Sequence, residues 1–182
     1  MKVRLFVASG IVILSLCGLL FFFYTHMDLK TVSGNGDLNS CGYVPYLDSF
    51  LYIDMDGKVL SVTKDINNNM PVIAGLKFSQ FTVGGYLDKQ NSGAIDTAAR
   101  LVKLFQKYEL DDNLVTKIDV SDINDIHLYT TNIYVTFGSI QNADEKIRTL
   151  KEIAAKLHVA EGVKGLLDIS VIGRQYIFKV LA

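Results

Sequence analysis

Phe50-Leu51-Tyr52-Ile53-Asp54-Met55, followed by Asp56-Gly57 and then Lys58-Val59-Leu60-Ser61-Val62, reads as a β-hairpin. Phe50, Tyr52 and Asp54 alternate with Leu51, Ile53 and Met55, the period of two that sends successive side chains to opposite faces of a sheet. Asp-Gly between two apolar runs is the chemistry of a tight turn, since both central positions need positive φ. A calcium loop built on Asp54 and Asp56 would need further oxygen donors and a bidentate glutamate at fixed spacing. Lys58, Leu60 and Val62 follow instead. The stretch therefore predicts a sheet, and the rest of the fold is read around it.

Downstream, Asn67-Asn68-Asn69 forms a loop, and Met70-Pro71 leads into Val72-Ile73-Ala74-Gly75, a short strand whose initial proline sits where a missing N–H is tolerated. From Asn91 to Leu110, residues Ile95, Ala98, Leu101, Val102, Phe105 and Tyr108 recur at helical spacing while Arg100, Lys103 and Lys107 face away. Asn91 or Ser92 can cap this helix, and Asp111-Asp112-Asn113 closes it. Strands are predicted over Thr116–Val120, Ile126–Tyr129 and Ile133–Phe137, the last two joined by Thr130-Thr131-Asn132. Asn142 and Glu145 have the spacing of a capping box. The helix they open presents Ile147, Leu150, Ile153, Ala154 and Leu157, and Gly162 and Gly165 end it. Two further strands, Leu166 to Ile172 and Gln175 to Leu181, flank a Gly173-Arg174 turn. The final strand stops where the sequence stops, the usual place for an edge strand with free N–H and C=O groups. The expected class is α+β, a mainly antiparallel sheet with two helices.

Upstream, Leu5 to Tyr24 carries no charged side chain. About 20 residues at roughly 1.5 Å rise span about 30 Å, the thickness of a bilayer's hydrocarbon core. The run exceeds the apolar region of a signal peptide and ends in Phe21-Phe22-Phe23-Tyr24 without a small-residue cleavage site. Leu16 before Cys17 and the apolar residues after it argue against a lipoprotein site. The expectation is a cytoplasmic tip over 1–4 bearing Lys2 and Arg4, a single-pass transmembrane helix over 5–26, a linker over 27–42 and one extracytoplasmic domain over 43–182. Ser33-Gly34-Asn35-Gly36 lacks the Lys-Ser/Thr of a phosphate loop and has linker composition.

Net charge is −1 and the lysines and arginines are scattered, which argues against a nucleic-acid surface. Cys17, inside the bilayer, cannot bridge Cys41 outside it, so Cys41 is expected to be a free thiol. His26, His127 and His158 share no metal-ligand spacing, and no Gly-x-Ser-x-Gly elbow occurs. The reading is a binding module with no catalytic residue, metal, cofactor or small-molecule substrate. A rival class, a cell-envelope enzyme or sensor, would be marked by a polar pocket.

Tyr46-Leu47-Asp48-Ser49-Phe50-Leu51-Tyr52-Ile53-Asp54, followed by Asp56-Gly57-Lys58-Val59, resembles the opening of the extracytoplasmic β domain of the FtsQ/DivIB cell-division family. Met70-Pro71-Val72-Ile73-Ala74-Gly75 is similar to that family's next strand, with Met in place of Leu. The helix from Ala94 to Tyr108, the Asp125–Gly138 hairpin and Gly165-Leu166-Leu167-Asp168-Ile169-Ser170-Val171 follow in the family's order, so the resemblance runs from residue 43 to 181. It implies a non-catalytic scaffold at the division septum that binds FtsB/DivIC-like and FtsL-like membrane-anchored partners, a partner segment adding as a strand beside the C-terminal strands. Carried over by position, the partner-binding strip is Leu166, Leu167, Asp168, Ile169, Val171, Arg174, Tyr176, Phe178 and Val180. Tyr176 and Phe178 are the preferred anchors, Arg174 would pair with an acidic partner residue, and one parity of the strip must face the core. Family members carry a POTRA domain between anchor and β domain. Residues 27–42 are too few to fold one, so it is expected to be absent or vestigial, and a truncated paralogue without partners is the remaining alternative.

Overall fold

A computed structural model describes residues 39–66, 69–110, 114–157, 164–173 and 176–180. The strands are β1 (Ser40–Tyr46), β2 (Ser49–Asp54), β3 (Val59–Thr63), β4 (Val72–Ala74), β5 (Lys117–Asp119), β6 (Ile126–Tyr129), β7 (Ile133–Gly138), β8 (Gly165–Asp168) and β9 (Ile177–Val180). Helix α1 (Ser92–Lys107) joins β4 to β5, and α2 (Ala143–Leu157) joins β7 to β8. The expected anchor lies outside the described residues; among those described, no helix is long and apolar enough to cross a membrane.

The strands form one sheet in the order β3-β2-β1-β4-β5-β6-β7-β8-β9. It is mixed. The pairs β1–β4, β4–β5 and β7–β8 are parallel and the other five are antiparallel. The parallel pairs β4–β5 and β7–β8 are where the helices cross over, because parallel neighbours need a long connection. Register lines up one inward row across the sheet: Leu51, Val44, Ile73, Ile118, Leu128, Val135, Leu167 and Phe178. From Leu51 to Leu167 every member is at most 1% exposed. Ile95, Ala98, Leu101 and Val102 of α1, and Ala143, Ile147 and Leu150 of α2, complete the same core. Each large aliphatic side chain so buried contributes about 1.5–3 kcal/mol. The opposite row (Tyr43, Val72, Lys117, Tyr129, Tyr134, Leu166 and Lys179) faces away from the helices.

Three local expectations change. The first strand begins at Ser40, inside the stretch read as linker, and pairs with β2 through a turn in which Leu47 has φ +48°. The Asp-Gly turn is not the two-residue form, because only Gly57 has positive φ, at +79°. Instead the Asp54 carboxylate accepts from the N–H groups of Asp56 at 3.0 Å and Lys58 at 2.8 Å, organising a wider loop. Asn91 does not cap α1 with its side chain. It is buried, and its amide accepts from Lys77 N and donates to Lys77 O, both at 2.8 Å, so it clamps the loop after β4 onto the helix start. Asn142 does hold the cap position of α2, its carbonyl accepting from Lys146 N at 3.1 Å, but with φ +54°.

Candidate functional site

β9 is the last strand of the sheet, and among the described residues nothing lies on its other side. Which of its backbone groups are free follows from β8. Gly165 N donates to Asn132 O and Ile169 N to Thr136 O, both at 3.0 Å. Backbone groups of alternate residues point to opposite sides of a strand, so Gly165, Leu167 and Ile169 face β7 while Leu166 and Asp168 face β9. Leu166 pairs with Lys179 and Asp168 with Ile177. Ile177 and Lys179 therefore spend their N–H and C=O groups on β8, and those of Phe178 and Val180 point off the sheet.

The side chains divide by the same alternation. Leu167 and Ile169 are 1% and 0% exposed and belong to the core. Phe178 turns inward. Gly165 makes room for it, since a Cβ there would stand 2.2 Å from the Phe178 ring. An aromatic ring laid over a glycine on the neighbouring strand restores the packing that the glycine lacks. Tyr176 also packs against the core. The two residues preferred as anchors are thus partly structural, whereas Leu166, Val171, Val180 and Asp168 are exposed. Arg174 lies outside the described residues. Sequence reading missed Ile177, the most exposed apolar side chain of the edge at 71%. The signal was available: once Leu167 and Ile169 are read as core, antiparallel pairing forces Ile177 outward beside Asp168.

On the outward face, Lys117 Nζ lies 3.9 Å above the Tyr129 ring, Tyr129 meets Tyr134 edge-on at 5.0 Å, and His127 stacks on Tyr134 at 5.1 Å. Partial burial raises the Tyr134 phenol above its ordinary value, and Tyr129 adds to the effect. These rings cover one another, which is the cross-strand pairing that stabilises a sheet. His127 Nε2 is 3.3 Å from Asp125 Oδ2. Ser61 and Lys64 have Ser-x-x-Lys spacing but lie along and just beyond an extended strand, where residues three apart point to opposite faces. Cys41 is a free, fully buried thiol, and burial, assisted by the Asp54 charge, pushes it up to about 12. Among the described residues no group of three or more His, Cys, Asp or Glu could hold a metal ion.

A solved structure of the major extracytoplasmic domain of the trans isomer of the cell division protein DivIB from Geobacillus stearothermophilus aligns with a TM-score of 0.42 and 19% identity, covering 68% of this chain and 97% of that one. The cell division protein DivIB of Clostridium botulinum strain Hall is 25% identical over 124 residues, 68% of this chain and 48% of the relative. That of strain Loch Maree is 24% identical over 122 residues, 66% and 47%. The chain spans about half the length of these curated relatives. A model of the family described as FtsQ/DivIB, C-terminal related, matches residues 46–177, from the end of β1 into β9. With most of its sheet and both helices inside that match, the chain belongs to the FtsQ/DivIB C-terminal related family.

Proposed function

We propose that this protein is a non-catalytic scaffold of bacterial cell division, tethered by the apolar run Leu5–Tyr24 with its β domain outside the cytoplasm. It captures FtsB/DivIC-like and FtsL-like partners by accepting a partner segment as a further strand beside β9. The observation that carries the reading is the backbone of Phe178 and Val180, which has no strand beside it among the described residues, on an edge flanked by the exposed Ile177 and Leu166. Main-chain hydrogen bonds to such an edge supply affinity, and alternate side chains supply specificity. Tethering partner and scaffold in one bilayer raises their effective concentration, so a short interface suffices. The family membership and the DivIB relatives support the division role.

The test is co-purification of the full chain with the FtsB/DivIC-type protein of the same genome. Ile177→Lys puts a charge on the edge without touching the core and without opposing the Asp168 carboxylate across the pair. It should abolish capture and leave the thermal unfolding curve unchanged. Undiminished capture by a correctly folded Ile177→Lys variant would remove the terminal-edge reading.

A further inference from the structure

Lys146 is the one buried lysine among the described residues, at 2% exposure. It lies in the first turn of α2, and its ammonium donates to Phe137 O and Ser139 O, both at 2.9 Å, with the Phe137 ring 4.9 Å away. Burying a lysine costs free energy that an apolar residue of similar length would avoid, and here the two carbonyls offset that cost only while they are held at the ammonium. Its two acceptors flank Gly138, where β7 ends with φ +70°. Gly138 is pressed against the next strand's exit: a Cβ on it would stand 2.9 Å from Ser170 Cβ. Ser170 is in turn held by the Asp168 carboxylate, which accepts from Ser170 N at 2.9 Å and Ser170 Oγ at 2.6 Å. Ser170 opens the β8–β9 connection.

We propose that Lys146 is the positioning residue of the docking edge: by clamping the carbonyls on both sides of Gly138 it fixes the platform on which Ser170 and Asp168 launch the β8–β9 turn, and so sets where β9 lies. This inference rests on β9 being the docking edge only for its functional consequence; the structural part stands without a partner. Burial lowers the ammonium below the ordinary lysine range, with the Asp168 charge opposing that shift, which agrees with a clamp made of carbonyls rather than of a close ion pair.

Hydrogen–deuterium exchange on the full chain separates the possibilities. In Lys146→Met, the peptide carrying β9 should exchange at least tenfold faster, while the peptides carrying β6 and β5 keep their protection, and partner capture should fall in parallel. Gly138→Ala disturbs the next link without touching a buried charge and should loosen the same peptide. Uniformly faster exchange across the sheet in both variants, or an unchanged β9 in either, overturns the positioning role. Selective loosening of β9 with capture intact would uphold Lys146 and instead remove the docking reading.

Discussion

The sheet ends in two edges that are built differently. At the β3 edge, Val59 is already engaged from outside: its N–H donates to Gly85 O and its carbonyl accepts from Gly84 N, both at 2.8 Å, and Tyr86 bridges Lys58. A loop clamped at its far end by Asn91 thus covers the start of that strand. At the β9 edge no loop does this among the described residues, and the strand is only Ile177–Val180. Proteins blunt edges to avoid pairing with other chains. Both edges expose apolar side chains, Leu60 and Val62 on β3 and Ile177 and Val180 on β9, and the difference is that the start of β3 is covered by its own chain while β9, among the described residues, carries no such cover.

Proline gives the sharpest way to break this comparison, because it is tolerated at an edge where the N–H faces away but cannot donate to an added strand. Val180→Pro should keep the fold and reduce partner capture about a hundredfold, ~2.7 kcal/mol. Val62 also points its N–H off the sheet: Tyr43 N donates to Pro71 O on the β4 side, so Val44 and Leu51 bond to each other, Tyr52 and Phe50 turn to Ser61 and Thr63, and Val62 faces the other way. Val62→Pro should leave capture unchanged. Equal losses in the two variants would erase the distinction between the edges.

Phe178→Ala comes next and acts on stability. It empties the space over Gly165 and should cost about 2 kcal/mol in denaturant unfolding, less than a fully buried phenylalanine because the ring is half-exposed. A loss of capture in this variant would report a displaced strand rather than a lost anchor, which is why Ile177 is the better probe.

The Cys41 thiol ionises near 9.0 in an unfolded chain and near 12 in the fold. Between those values the folded protein keeps a proton that the unfolded chain has released. Stability is therefore fully present below about pH 9 and falls as pH rises, by about 1.4 kcal/mol per unit at most. Cys41's share of the slope should be lost in Cys41→Ala, leaving a shallower decline, and the native thiol should not react with a disulfide reagent at pH 8. Asp54→Ala removes both loop bonds to Asp56 and Lys58 and should cost about 1 kcal/mol, with capture unchanged. The smallest effect belongs to Asp144→Asn, which weakens an exposed pair with Lys107 at 2.6 Å and should barely move the melting temperature.

Much of this architecture is legible in the sequence, because helices and half-buried strands have different periods. The face of α1, and that of α2 from Ile147 to Ala154, are those that spacing predicts, as are β2 and β3, β6 and β7, and the edge position of the last strand. What is hidden depends on distant partners. β1 contains Gly42 and Pro45 and turns through a left-handed leucine, so its local chemistry does not read as a strand; its pairing with β2 and β4 makes it one. Asn91 has the composition of a cap, but a loop fourteen residues upstream competes for its amide. The inward turn of Phe178 was hidden because Gly165 reads as a helix terminator and only the register reveals that it accommodates a ring.

The most direct measurement is deuterium exchange of the full chain with and without its FtsB/DivIC-type partner, resolved to single amides. The edge account predicts new protection at Phe178 and Val180, whose N–H groups point off the sheet, and little change at Ile177 and Lys179, already bonded to β8, or anywhere on β3. Protection appearing on β3 or on the outward ring ladder, with Phe178 and Val180 still exchanging freely, would contradict it.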